Sequence, residues 1–308
     1  MTGASVLYDV PGPRAVLRNR ILGVITVVVV LVVVGFIVYR FQATGQFDAT
    51  RWNVFTYTLV WQSILRALWA TVSAFLAAAV GSLILGFILA MGRLSEHAWL
   101  RQPVMVITEL LRAVPVLVMM MIFFYGVNSI PGIPFKMTAY MAVVVGLVLY
   151  NGSVLAEALR AGIEALPKGQ KEAGYAIGLR KSGVMTLILL PQAVRAMLPV
   201  IVAQLVVTLK DTALGFIITY PELLYYAKFL SSQQGRPLLQ AGIVIGAIYI
   251  AMCLVLSAAA NWLEIRTRRS PKLRNHVPFG GGYPRIHEGA TVTEVIAAQK
   301  STGRLDDR

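Results

Sequence analysis

An all-α integral membrane protein is predicted from three observations. Hydrophobic residues make up 57% of the 308 residues. Charged residues supply 14%, against roughly a quarter in soluble domains. Several apolar runs are long enough to cross a bilayer, and none alternates with the period of two that a lipid-facing barrel strand requires. In hydrocarbon every backbone donor and acceptor needs an internal partner, which leaves helices.

Ile21 to Tyr39 is an almost unbroken run of Val, Ile and Leu behind Arg14, Arg18 and Arg20. It exceeds the ~7 to 15 apolar residues of a signal peptide, and only the weak small-residue site Ala43 to Gly45 follows it. It is therefore read as an uncleaved anchor helix. Further spans are expected at Ile64 to Met91, Pro103 to Val127, Met137 to Glu157, Met197 to Tyr220 and Leu238 to Trp262, six in all. The chain divides into an N-terminal segment at 1–20, the first helix at 21–40, a core at 61–262 with a long loop at about 161–191, and a tail at 263–308. The tail begins basic and turns Gly- and Pro-rich, and is expected to be mobile.

Net charge is +14, but the basic residues flank apolar runs and form no aromatic-interleaved patch, which argues for topology and against nucleic acid. With the N-terminus inside, Arg51, Lys136, Lys228 and Arg236 fall outside. Arg93, Arg101, Lys168, Lys171, Arg180, Lys181 and the run from Arg266 to Arg274 fall inside. Both termini and the long loop are then cytoplasmic, in a multi-pass cell-membrane protein. The one cysteine, Cys253, lies in an apolar run, which excludes an intramolecular disulfide and a Cys-cluster metal site.

The stretch from Ala161 to Leu190 is too long for a simple connection. Pro167 suits a first helical turn and Gly178 a left-handed stop, framing a short helix from about Pro167 to Ile177, after which Ser182 is placed to cap the next. Lys168, Lys171, Glu172 and Tyr175 form its polar side. Ala173, Gly174, Ala176 and Ile177 form a small or apolar side that a partner's groove could approach. Docking on a partner and lying on lipid headgroups are both open on these features alone.

The spacing of Glu172, Ala173, Gly174, Gly178, Ile188, Leu190 and Pro191 resembles the EAA motif of ABC importer permeases, with Gly174 standing where the motif has alanine. Glu109, Arg112 and Pro115 resemble the E-x-x-R-x-x-P of the polar amino-acid uptake branch. Ala156, Glu157, Arg160, Gly162 and Ile163 resemble its A-E-x-x-R-x-G-I, and Pro167 to Gln170 its P-K-G-Q. Leu209 to Leu214 reads L-K-D-T-A-L where that branch has L-K-D-T-S-L. The resemblance spans about Trp61 to Trp262. It implies a type I ABC importer transmembrane domain of five core helices, here with one extra N-terminal helix. It also implies two ATPase subunits that carry ATP and Mg2+, a second permease and an extracytoplasmic amino-acid-binding protein. The chain itself is expected to bind no cofactor or metal and to catalyse nothing, and it lacks G-x-x-x-x-G-K-[ST]. The extra helix and tail favour a heterodimer of permeases over a homodimer. Coupling to the ATPase is expected at Gly169, Lys171, Glu172, Ala173, Gly174, Gly178 and Pro191.

Ionisable groups within spans are costly and invite a functional reading: Arg66, Glu109, Arg112, Glu157, Arg160, Arg195, Lys210 and Asp211. Glu109 with Arg112, and Glu157 with Arg160, have the i,i+3 spacing that lets them neutralise one another. A zwitterionic amino acid needs an acceptor for its ammonium and donors for its carboxylate. Glu157 suits the first role and Arg112, Asn151 or Gln204 the second, with Val154 on the same helix face and Lys210 a further pathway candidate. The excess of donors over acids favours glutamate, aspartate or their amides. An ion-driven secondary transporter and a membrane interaction protein without transport are the rival readings. The first predicts inverted repeats that the chain does not display.

Overall fold

The computed structural model describes residues 12–132, 134–232 and 237–268. The N-terminal segment before Gly12, Arg236 and the tail after Arg268 lie outside the described residues, so the charge and mobility expectations placed on them do too. Among the described residues every regular element is helical.

Helix α1 (Pro13–Ala43) exceeds the predicted span at both ends, starts with Pro at N1 and buries none of its residues against the protein. An apolar helix with none of its residues buried is the form expected where lipid is the solvent. The segment after it is tied to the core, where the Gln240 side-chain amide donates to the Gln46 carbonyl at 2.5 Å. A 3-10 turn (Ala49–Thr56) follows, opened by Asp48 accepting from the Thr50 N–H at 3.0 Å.

The core is built on α2 (Thr58–Arg93) packed along α5 (Ala139–Glu164), the latter capped by the Thr138 hydroxyl. The face of α2 that meets the core carries Ala67, Thr71, Ala74, Ala78, Ser82, Gly86 and Ala90, all buried and recurring every three or four residues. Small residues let two backbones approach, which substitutes for the hydrophobic drive that lipid removes. At Gly86 the approach is close enough that a Cβ would sit 3.0 Å from the Gly152 carbonyl on α5.

The span expected at Pro103 to Val127 is not a straight helix. It is a pair, α3 (Ala98–Ala113) and α4 (Val116–Ser129), bent by 97°. The break is at Val114, which is extended (φ −84°, ψ 125°) because Pro115 disfavours helical geometry in the residue before it.

After α5 comes α6 (Lys168–Ala176), within one residue of the expected bounds. Pro167 precedes the first turn rather than occupying it, and Gly178 stops the helix at φ +80° with the Leu179 N–H on the Gly174 carbonyl. Helix α7 (Lys181–Ile218) begins well before the predicted Met197. Ser182 is therefore inside its first turn and not its cap, and its carbonyl accepts from Thr186. The π-helical stretch Val184–Leu189 ends just before Pro191, whose missing N–H breaks the regular ladder there. The helix tightens to 3-10 geometry from Thr212 to Ile218, immediately after Lys210 and Asp211. Helices α8 (Leu223–Ser232) and α9 (Leu238–Arg268) complete the fold.

Candidate functional site

The short helix α6 is fixed on α7 by its glycine. A Cβ at Gly174 would meet Val184 Cγ2 at 2.9 Å and Ile188 Cδ1 at 3.0 Å, so this position is filled by the neighbouring π-helical turn. The expectation that Gly174 faces a partner is corrected: the residue is buried against its own chain. Glu172, Ala173, Ala176 and Ile177 face outward, with Ile177 77% exposed. Gly169 has open space where a side chain would be. Lys171 sits over the Tyr175 ring at 5.9 Å, on the side of α6 turned towards the α2–α3 connection. Gln192, next to Pro191, bridges to Gln170 at 3.4 Å. At the start of α7, Lys181 pairs with Glu96 at 2.8 Å. That hydrogen bond holds the Glu96 carboxyl below its ordinary value.

At the same end of the bundle the intrahelical pairs form as expected. Arg112 lies 3.5 Å from Glu109, and Arg160 bridges Glu157 at 2.6 Å and also Glu164. The element that unites them went unrecognised in the sequence. Arg93, at the last turn of α2, places one nitrogen 2.8 Å from Glu157 and 3.3 Å from Glu109. Its side chain is only 9% exposed, and it ties α2, α3 and α5 together. The single available signal was a basic residue at a span end, which reads equally as topology. Three arginines and three glutamates balance in charge, so in this conformation Glu157 is held by Arg93 and Arg160, and Arg112 by Glu109.

Deeper in the bundle Asn151 is fully buried on α5. Its side-chain carbonyl accepts from the Gln204 amide of α7 at 2.6 Å, and its own amide donates to the Leu147 carbonyl at 3.0 Å. The structure therefore brings together Asn151 and Gln204, with Val154 half-buried one turn further along α5. It separates Lys210 from them: Lys210 is exposed and lines a groove with Tyr249 and Cys253 of α9. Arg66 and Arg195 are exposed as well.

A second group not foreseen is Glu222, fully buried before α8. Its carboxylate accepts from the Leu224 and Tyr225 N–H groups at 2.7 and 2.6 Å and from the Tyr249 hydroxyl at 2.7 Å. Thr71 of α2 accepts from the adjacent Leu223 N–H at 3.2 Å. Pro221 to Leu223 reads P-E-L, and nothing in that local pattern reports that Thr71 and Tyr249, distant along the chain, close over the acid.

The comparisons with known proteins agree with this architecture. A family described as binding-protein-dependent transport system inner membrane component matches residues 82–269. The glutamate transport system permease protein GluD of Corynebacterium glutamicum is 40% identical over 237 residues, 77% of this chain and 86% of that protein. The probable glutamine ABC transporter permease protein GlnP of Bacillus subtilis is 32% identical over 60% of this chain and 84% of that protein. Among solved structures, a crystal structure of an amino acid ABC transporter with histidines superposes with a TM-score of 0.62 at 26% identity, covering 70% of this chain and 97% of that one. The chain belongs to the family of binding-protein-dependent transport system inner membrane components, and it is a multi-pass membrane permease with a type I ABC importer fold.

Proposed function

We propose that this chain is the permease subunit of an ATP-driven importer of polar amino acids, with glutamate, aspartate or their amides as cargo, working by alternating access. The observation that carries the reading is α6: a short helix locked on α7 through Gly174, with Glu172, Ala173 and Ile177 left outward. A rigid lever with an unfilled apolar face is what a moving ATPase subunit needs to grip. ATP and Mg2+ belong to two separate ATPase chains, and this chain supplies no catalytic group.

A second permease, favoured as a related chain and not a copy, and an extracytoplasmic binding protein complete the assembly. The charge distribution supports cytoplasmic termini and a cytoplasmic α6. Glutamate as cargo is supported by the 40% identity to a glutamate permease and by the abundance of donors over acids. Asn151 and Gln204 are the pathway residues best supported by position, because a buried and a half-buried amide facing one another offer both donors and acceptors once they part. Coupling is assigned to Gly169, Lys171, Glu172, Ala173, Gly174, Gly178 and Pro191, with Gly174 and Pro191 acting through the seating of α6 on α7.

The test is Glu172→Lys in the chain reconstituted with its ATPase, second permease and binding protein in liposomes. The expected result is an intact permease whose ATPase retention and amino-acid uptake both fall at least about tenfold, equivalent to ~1.4 kcal/mol at the interface. Wild-type retention with wild-type uptake would remove the coupling role.

A further inference from the structure

We infer that the chain carries a built site for an anionic phospholipid, at the junction of the α2–α3 connection, the start of α6 and the start of α7. A cavity of about 310 Å3 lies there, lined by Arg101, Lys168, Lys171 and Lys181 and by two acids, Glu96 and Glu164. Both acids are already engaged, Glu96 by Lys181 and Glu164 by Arg160. Among the described residues Arg101 and Lys168 have no ion-pair partner. The cavity therefore holds a cationic surplus that its own chain does not neutralise.

A second groove of about 520 Å3 continues from it, sharing Leu94, Ser95, Glu96, Lys181 and Met185, and runs down α2 past Gly92 to Ile88. Its walls there are Leu89, Leu100 and Val104, and Ile88 at its far end is 58% exposed within an apolar span. A cationic mouth leading into an apolar groove at the end of a membrane span matches one amphipathic anion, a phospholipid with its phosphate on Arg101 and Lys168 and an acyl chain along α2. A soluble anion would leave the groove unfilled. The lipid would touch α2, α6 and α7 at once, the elements through which α6 is seated. The site stands on its own lining and does not depend on the transport reading.

Native mass spectrometry of the purified full-length chain, offered equimolar phosphatidylglycerol and phosphatidylcholine with identical acyl chains, tests this. Each basic residue near a lipid surface is worth about 1 kcal/mol, so phosphatidylglycerol should be retained about fivefold or more over phosphatidylcholine. The preference should vanish in Arg101→Gln/Lys168→Gln and return in Arg101→Lys/Lys168→Arg, which keeps the charge and controls for folding. Equal retention of the two lipids, or an undiminished preference in the neutral variant, overturns the proposal. Displacement of phosphatidylglycerol by glycerol phosphate at equal concentration would assign the cavity to a soluble anion and overturn it too. Loss of the lipid when the ATPase subunit is added would give the cavity to that subunit, with the same consequence.

Discussion

Arg93 reaches from the last turn of α2 to Glu157 on α5 at 2.8 Å, and the same nitrogen lies 3.3 Å from Glu109 on α3. Arg93→Gln leaves two carboxylates without their interhelical cation, one of them largely sheltered. We expect a loss of about 2 kcal/mol, below the 3–5 typical of a fully buried pair because Glu157 keeps some solvent and Arg160. A double-mutant cycle with Glu157→Gln in thermal unfolding should return a coupling of about 1 kcal/mol. Strictly additive single effects would mean the contact contributes nothing.

Gly174 is seated against Val184 and Ile188, so side chains added there push α6 away from α7. Gly174→Val should cost about 1–3 kcal/mol of local packing. The chain should still insert into the membrane, while ATP-dependent uptake falls more than stability does. Uptake at the wild-type rate from Gly174→Val would show that the seating of α6 does not matter.

Asn151 and Gln204 satisfy each other, so Asn151→Leu strands the Gln204 amide at a cost of about 1–3 kcal/mol. Asn151→Leu/Gln204→Leu replaces both polar groups with apolar ones of similar size and should recover most of that stability. Uptake separates the two roles: a structural pair predicts that transport recovers with stability, and a pathway pair predicts that it does not. We expect stability without transport.

Glu222 accepts two backbone N–H groups and the Tyr249 hydroxyl in a fully buried position. Glu222→Ala should lower stability by about 3 kcal/mol, since it leaves the Leu224 and Tyr225 N–H groups and the Tyr249 hydroxyl without their acceptor at about 1 kcal/mol or more each. Tyr249→Phe removes a single bond and should cost about half as much. Equal Tm values for the two variants would place the stabilisation elsewhere.

Much of the fold was legible in the sequence because it rests on local rules. The apolar runs marked α1, α2, α5 and α9, since a span needs only length and composition. Pro167 and Gly178 framed α6 to within a residue, because proline geometry and a left-handed stop act on their own backbone. The i,i+3 pairs Glu109–Arg112 and Glu157–Arg160 follow from helical pitch and formed as read. Pro115 also carried its message locally, but a continuous apolar run read as a single span, so the 97° bend that Pro115 imposes at Val114 was missed.

What tertiary structure alone decided is which face meets what. Gly174 turned inward because the π-helical turn of α7 rises beneath it, and no spacing rule reports where a neighbouring helix will lie. Arg93 joined three helices that are distant along the chain, so the residue that read as a topology signal became the centre of the charge cluster. Lys210 and Gln204 share one helix, yet Gln204 meets Asn151 while Lys210 lines the α9 groove. Sequence sets which side chains share a helix face, because pitch is a property of one segment. Lateral packing of separate segments sets what that face touches, and there the geometry of close approach between small residues, above all Gly86 against Gly152, determined the arrangement.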